Sequence, residues 1–126
     1  MSLIDFVAKN TSDFEHKFDK TLKKHPKCLI KDFEIIKQTI LTRKEELLKE
    51  SPKRNERIKL GEKYSNYLVI KSRMRISDDK DFTARIIWHL SKVKNEILFI
   101  DIYLKNQQSN HDVLLIKKSL DSYYAI

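Results

Sequence analysis

A chain of 126 residues with 26 Lys and Arg against 18 Asp and Glu carries a formal charge of +8 and has the length of one domain. A balance of that sign selects anionic partners, whether nucleic acid, an acidic protein or an anionic surface, and says nothing about fold. A lone cysteine, Cys28, excludes an intramolecular disulfide and suits a reducing compartment. Met1-Ser2-Leu3-Ile4-Asp5 has neither a basic nor an apolar signal region, and no apolar run is long enough for a membrane span. A cytoplasmic protein with no membrane association is therefore expected.

The elements follow in chain order. Leu3 to Lys9 alternates loosely, as a short first strand does. Ser12 and Glu15 form a capping-box pattern ahead of Phe14, Phe18 and Leu22, which predicts a helix from about Ser12 to Lys24 that Pro26 ends. A second helix is predicted from near Asp32, with Phe33, Ile36, Ile40 and Leu47 on one stripe and Pro52 as its stop. The short His25-Pro26-Lys27 link makes the two an αα-hairpin. Lys53 to Lys63 is polar and reads as a loop. Three strands are then predicted, over Tyr67–Ile76, Ala84–Leu90 and Ile97–Leu104, in an antiparallel meander. Ser77-Asp78-Asp79-Lys80-Asp81 forms the first turn of that meander and Lys94-Asn95-Glu96 the second. Ser109 and Asp112 precede Val113, Ile116 and Leu120, so a last helix is expected. The order is β-α-α-β-β-β-α: one α+β domain over 1–126, with a small, mainly antiparallel sheet and the αα-hairpin on one face.

In the strand Ile70-Lys71-Ser72-Arg73-Met74-Arg75-Ile76, alternation puts Lys71, Arg73 and Arg75 on one face. Their spacing is about 6–7 Å, close to the phosphate repeat of an extended single strand. The bland alternative is a protected edge strand. Arg85 shares a face with Ile87 and His89, while Ala84, Ile86, Trp88 and Leu90 face the helices. An arginine in so apolar a strand needs either a carboxylate, for which Asp101 is the candidate, or an open groove where its guanidinium meets phosphate. Tyr103 and Lys105 add a phenol and an ammonium to the same rim. Tyr123 and Tyr124 are candidates for base stacking or for packing the last helix. His16, His25, His89, His111 and Cys28 show no metal-ligand spacing, so neither a metal nor a cofactor is expected.

The ordered set resembles the RelE/ParE superfamily of toxins from type II toxin–antitoxin systems, of the RelE/HigB kind. Its F…K-x-L-K-K helix is matched by Phe14, Phe18 and Lys20-Thr21-Leu22-Lys23-Lys24. Its L-x-G…Y-x-x-K-x-R segment is echoed by Leu60-Gly61, Tyr64 and Lys71-Ser72-Arg73-Met74-Arg75. Its R-V-I-Y and I-Y-x-K strands are echoed by Arg85-Ile86-Ile87-Trp88 and Ile102-Tyr103-Leu104-Lys105. The resemblance implies a metal-independent, ribosome-dependent endoribonuclease (an mRNA interferase) that cuts mRNA in the ribosomal A site by 2′-hydroxyl attack and so inhibits translation. It implies Arg85 as transition-state stabiliser and Lys71 and Arg73 as phosphate holders, with a lysine as base and Lys105 or Tyr103 completing the site. A cognate antitoxin is the implied partner. The alternatives within the resemblance are a ParE-like gyrase poison and a catalytically silent RNA- or protein-binding relative.

Overall fold

The computed structural model describes residues 6–47, 55–77 and 83–125. Its elements are β1 (Val7–Asn10), α1 (Ser12–Lys24), α2 (Leu29–Leu47), β2 (Asn55–Ile58), β3 (Leu68–Arg75), β4 (Thr83–Ser91), β5 (Glu96–Leu104) and α3 (Val113–Tyr124), with a 3₁₀ turn over Glu62–Tyr64. The fold is α+β. Five strands lie in the order β1-β5-β4-β3-β2, with β1 parallel to β5 and every other pair antiparallel.

Three expectations need correction. Asn55–Ile58, read as loop, is a fourth antiparallel strand: four polar-rich residues show no periodicity, and only pairing with β3 makes them a strand. Helix α2 begins at Leu29, a turn before Asp32, with the Asp32 amide already bonded to the Cys28 carbonyl, and the Asp32 carboxylate is engaged elsewhere. It turns across to accept from the Ser77 amide and hydroxyl, each at 2.8 Å, and so ties α2 to the end of β3. At α1 the cap is Thr11, one residue before Ser12, with its hydroxyl accepting from the Phe14 amide at 3.1 Å. Asp112 caps α3 in the same way through Leu115. The first strand begins at Val7; Leu3, Ile4 and the Asp78–Asp81 turn lie outside the described residues.

Each sheet face carries its own apolar layer. On one face α1 and α2 pack Phe14, Phe33 and Ile40 against Trp88, Phe99 and Ile86. Phe14, Phe18, Phe33 and Phe99 sit with ring centroids between 5.1 and 5.8 Å apart, within the range of favourable aromatic pairs. Trp88 needs a partner for its indole N–H in that layer. It donates to the Ser72 hydroxyl at 2.8 Å, which donates to the Asn55 side-chain oxygen at 2.6 Å and so ties β2 to the sheet. On the other face α3 lays Ile116 and Leu120 over Val69, Ile87, Leu98 and Ile100. Among the described residues no helix is long and apolar enough to cross a membrane.

A bulge in β5 decides what the second face presents. Trp88 stands opposite Phe99, but Ile87 stands opposite Asp101, leaving Ile100 as the extra residue. Beyond it the alternation of β5 is reversed, and Tyr103 joins the α3 face with Ile100 instead of the helical-hairpin face with Phe99.

Candidate anion-binding site

Strand register builds the site. Arg73 stands opposite Arg85, and Arg85 stands opposite Tyr103, in one row across β3, β4 and β5. The row below contains Arg75 opposite Thr83, with the Lys105 amide bonded to the Thr83 carbonyl. The row above contains Lys71, with Glu56 opposite it on β2. The α3 face of this end of the sheet therefore brings Lys71, Arg73, Arg75 and Arg85 together, as alternation along β3 and β4 implied, and the bulge in β5 adds Tyr103, with Lys105 just beyond the strand end.

Arg73 and Arg85 face each other, and among the described residues neither is paired with a carboxylate. Directly opposed residues on neighbouring strands have Cβ atoms about 5 Å apart, and like charges at that spacing destabilise a sheet. Arg85 is half-buried and, among the described residues, donates to the Thr83 hydroxyl at 3.2 Å and the Ala84 carbonyl at 3.4 Å. Burial, and then Arg73, lower its pKa from the ordinary value. A guanidinium starts so high that it remains a cation at neutral pH. Arg73 and Arg75 are exposed and have no ion-pair partner among the described residues.

Asp101 does not neutralise Arg85. At the bulge its carboxylate turns toward α1, where it binds Lys17 at 2.8 Å and accepts from the Ile102 amide at 2.8 Å. Burial nevertheless pushes the Asp101 pKa up. The dull explanation for Arg85, a salt bridge to Asp101, is thereby removed.

Tyr103 is 3% exposed, and its hydroxyl is buried without a hydrogen-bond partner. Burial raises the pKa of this phenol against the pull of Arg85, so it stays protonated and keeps a hydrogen to donate. A buried hydroxyl left unbonded costs about 1–3 kcal/mol. Tyr103 stands opposite Arg85, which in turn stands opposite Arg73.

Lys71 is differently engaged. Its ammonium contacts Glu56 at 3.0 Å, the Asn110 side-chain oxygen at 3.2 Å and His111 Nδ1 at 3.1 Å. Those contacts use all three of its donors and fasten the segment between β5 and α3 to the sheet. Lys105 likewise donates to the Ser109 carbonyl in that segment. Burial, and then Lys71, lower the His111 pKa. The neutral ring accepts from Lys71 at Nδ1 and keeps its proton on Nε2. Glu56 and His111 belong to the site and were not among the residues singled out from sequence. Glu56 sat in a stretch read as loop, and only strand pairing sets it opposite Lys71.

Tyr123 and Tyr124 are not brought to this cluster. Tyr124 packs among Tyr67, His89 and Tyr123, with its hydroxyl 3.4 Å from Glu96. Glu96 opens β5 and Tyr103 nearly closes it, a separation of about 20 Å along the strand. His89 is buried in the same packing, with Nδ1 bonded to the Leu68 carbonyl at 2.9 Å. Among the described residues no His, Cys, Asp and Glu side chains converge as a metal ion would require. No protein-family model matches the chain, and no curated protein matches it at a significant level.

Proposed function

We propose that this protein is a RelE/ParE-type toxin of a type II toxin–antitoxin pair, acting as an endoribonuclease on mRNA in the ribosomal A site. The observation that carries the reading is the Arg73–Arg85–Tyr103 row: two opposed guanidiniums with no carboxylate partner among the described residues, beside a buried phenol without a hydrogen-bond partner there. Such a row costs stability and gains nothing until an oxyanion enters it. The +8 charge of the chain makes a polyanion the natural source of that oxyanion. The family is suggested by the ordered sequence resemblance, with which a small α+β fold is compatible.

The chemistry is transesterification. The ribose 2′-oxygen attacks the adjacent phosphorus, the P–O5′ bond breaks, and a 2′,3′-cyclic phosphate and a 5′-hydroxyl result. Arg73 and Arg85 grip the non-bridging oxygens and stabilise the charge that grows on them, and the Tyr103 hydroxyl donates to the same oxygens. The Lys71 ammonium has no lone pair to accept a proton, so the 2′-hydroxyl proton passes to the Glu56 carboxylate that Lys71 holds. Lys105 protonates the departing 5′-oxygen.

Induced expression in a bacterial host should arrest growth, with translation-dependent cuts in cellular mRNA mapped by primer extension. Arg85→Ala should relieve both, with cleavage falling by about 10²–10³-fold, the loss typical of one oxyanion-stabilising donor. Growth arrest with intact mRNA and broken DNA would overturn the nuclease reading in favour of a gyrase poison. RNA binding without toxicity would leave a silent relative.

A further inference from the structure

A groove of about 480 Å³ runs between α1 and the outer edge of β5. Its existence follows from strand pairing. β1 pairs with Glu96–Phe99, so among the described residues no strand flanks the outer edge of the second half of β5, and α1 lies there instead. Lys17, Lys20, Lys23 and Lys24 all line the groove, with Tyr103 and Gln107 across from them, and no acidic side chain among the described residues lines it.

The charge is not explained by structure alone. Lys17 is paired with Asp101, but Lys20, Lys23 and Lys24 have no ion-pair partner among the described residues. Lys23 and Lys24 lie in the last turn of α1, where cations complement the helix carbonyls. That account does not reach Lys20, one turn earlier, or the convergence of all four on one groove. Like charges at these helical spacings repel. Under Lys17, the second carboxylate oxygen of Asp101 is buried without a hydrogen-bond partner, as is the Tyr103 hydroxyl. Tyr103 lines the groove and also ends the Arg73–Arg85 row, so the two basic surfaces meet at its ring.

We propose that this groove is a second anion site, which takes the backbone of single-stranded RNA flanking the phosphate held by Arg73 and Arg85. The strand crosses the edge of β5 at Tyr103 and continues along α1. Lys17 to Lys24 spans about 10 Å of helix, room for two or three phosphates. A groove of this size accepts an extended strand and not a duplex. The inference rests on the reading of the Arg73–Arg85–Tyr103 row as an RNA site.

The test compares three proteins, wild type, the triple variant Lys20→Gln/Lys23→Gln/Lys24→Gln, and Arg73→Ala/Arg85→Ala, on a two-nucleotide RNA, a ten-nucleotide single-stranded RNA and a poly-glutamate peptide. Lys17 is kept because it pairs with Asp101. Melting temperatures confirm that each variant is folded. The triple variant should bind the two-nucleotide RNA as wild type does and lose the extra affinity for the longer one. Its log–log salt slope on the longer RNA should be smaller by about 1.4–2, at about 0.7 per lost phosphate contact. A fourfold rise in salt should accordingly weaken wild type about 7- to 16-fold more than the variant. An unchanged slope and affinity in the triple variant, with binding lost in Arg73→Ala/Arg85→Ala, would overturn the groove and leave the row as the RNA site. Loss of binding in the triple variant alone would support the groove and remove the row. Retained RNA binding with poly-glutamate binding lost would overturn the RNA assignment and make the groove an acidic-peptide site.

Discussion

A single hydroxyl separates the functional and structural readings of the cationic row. The Tyr103 phenol fills a buried position under α3, and its ring would serve packing equally well without the oxygen. Replacing a buried, unbonded hydroxyl by hydrogen is neutral or stabilising, by up to about 1 kcal/mol. Tyr103→Phe should hold or raise the melting temperature while weakening RNA cleavage, and a lowered melting temperature would show that the hydroxyl is bonded in the folded protein. The sequence made Arg85 conspicuous, because an arginine inside Ile86-Ile87-Trp88 demands an explanation. It could not show that Asp101 turns away from Arg85, nor that Tyr103 stands opposite it. Both follow from the extra residue Ile100 in β5, and a bulge leaves no mark in an unbroken run such as Ile97-Leu98-Phe99-Ile100.

At the scale of elements, the helices and the three long strands were legible because their periodicities are long and strong. Phe14, Phe18 and Leu22 fixed α1, and the change to period two after Tyr67 located the meander. Strand β2 was not legible, since Asn55-Glu56-Arg57-Ile58 has one apolar residue and gains its identity from β3. Its attachment runs through Ser72, the middle of the Trp88–Ser72–Asn55 chain of hydrogen bonds. Ser72→Ala leaves the buried Trp88 N–H without its acceptor and should cost about 1–3 kcal/mol. Hydrogen exchange at Asn55–Ile58 should accelerate more than at β4. Uniform exchange across the sheet would mean that β2 does not depend on this chain. Because Glu56 rides on β2, the same variant should also reduce cleavage.

At the scale of the molecule, two histidines couple stability to pH. Burial is the first cause of a lowered pKa at both His89 and His111. Each group therefore titrates near 6.5 in the unfolded chain and at a lower pH in the folded one. Between those values the unfolded chain holds more protons, so stability is complete above about pH 6.5 and declines as pH falls. The melting temperature should drop by several degrees from pH 7 to pH 5, and His89→Phe should flatten part of that slope. A melting temperature unchanged over this range would mean that neither imidazole is as enclosed as its surroundings indicate. The excess of positive charge acts over the same scale: wherever RNA binds, affinity should fall steeply with salt.

The most direct measurement is cleavage of a defined mRNA on translating ribosomes by the purified protein, with the chemistry of the new ends determined. Wild type should produce fragments with 5′-hydroxyl and 2′,3′-cyclic phosphate ends. A folded Arg85→Ala protein should produce them at least about 100-fold more slowly. Intact mRNA with the wild-type protein, or undiminished cleavage by Arg85→Ala, would contradict the assignment of the Arg73–Arg85–Tyr103 row as the site of RNA cleavage.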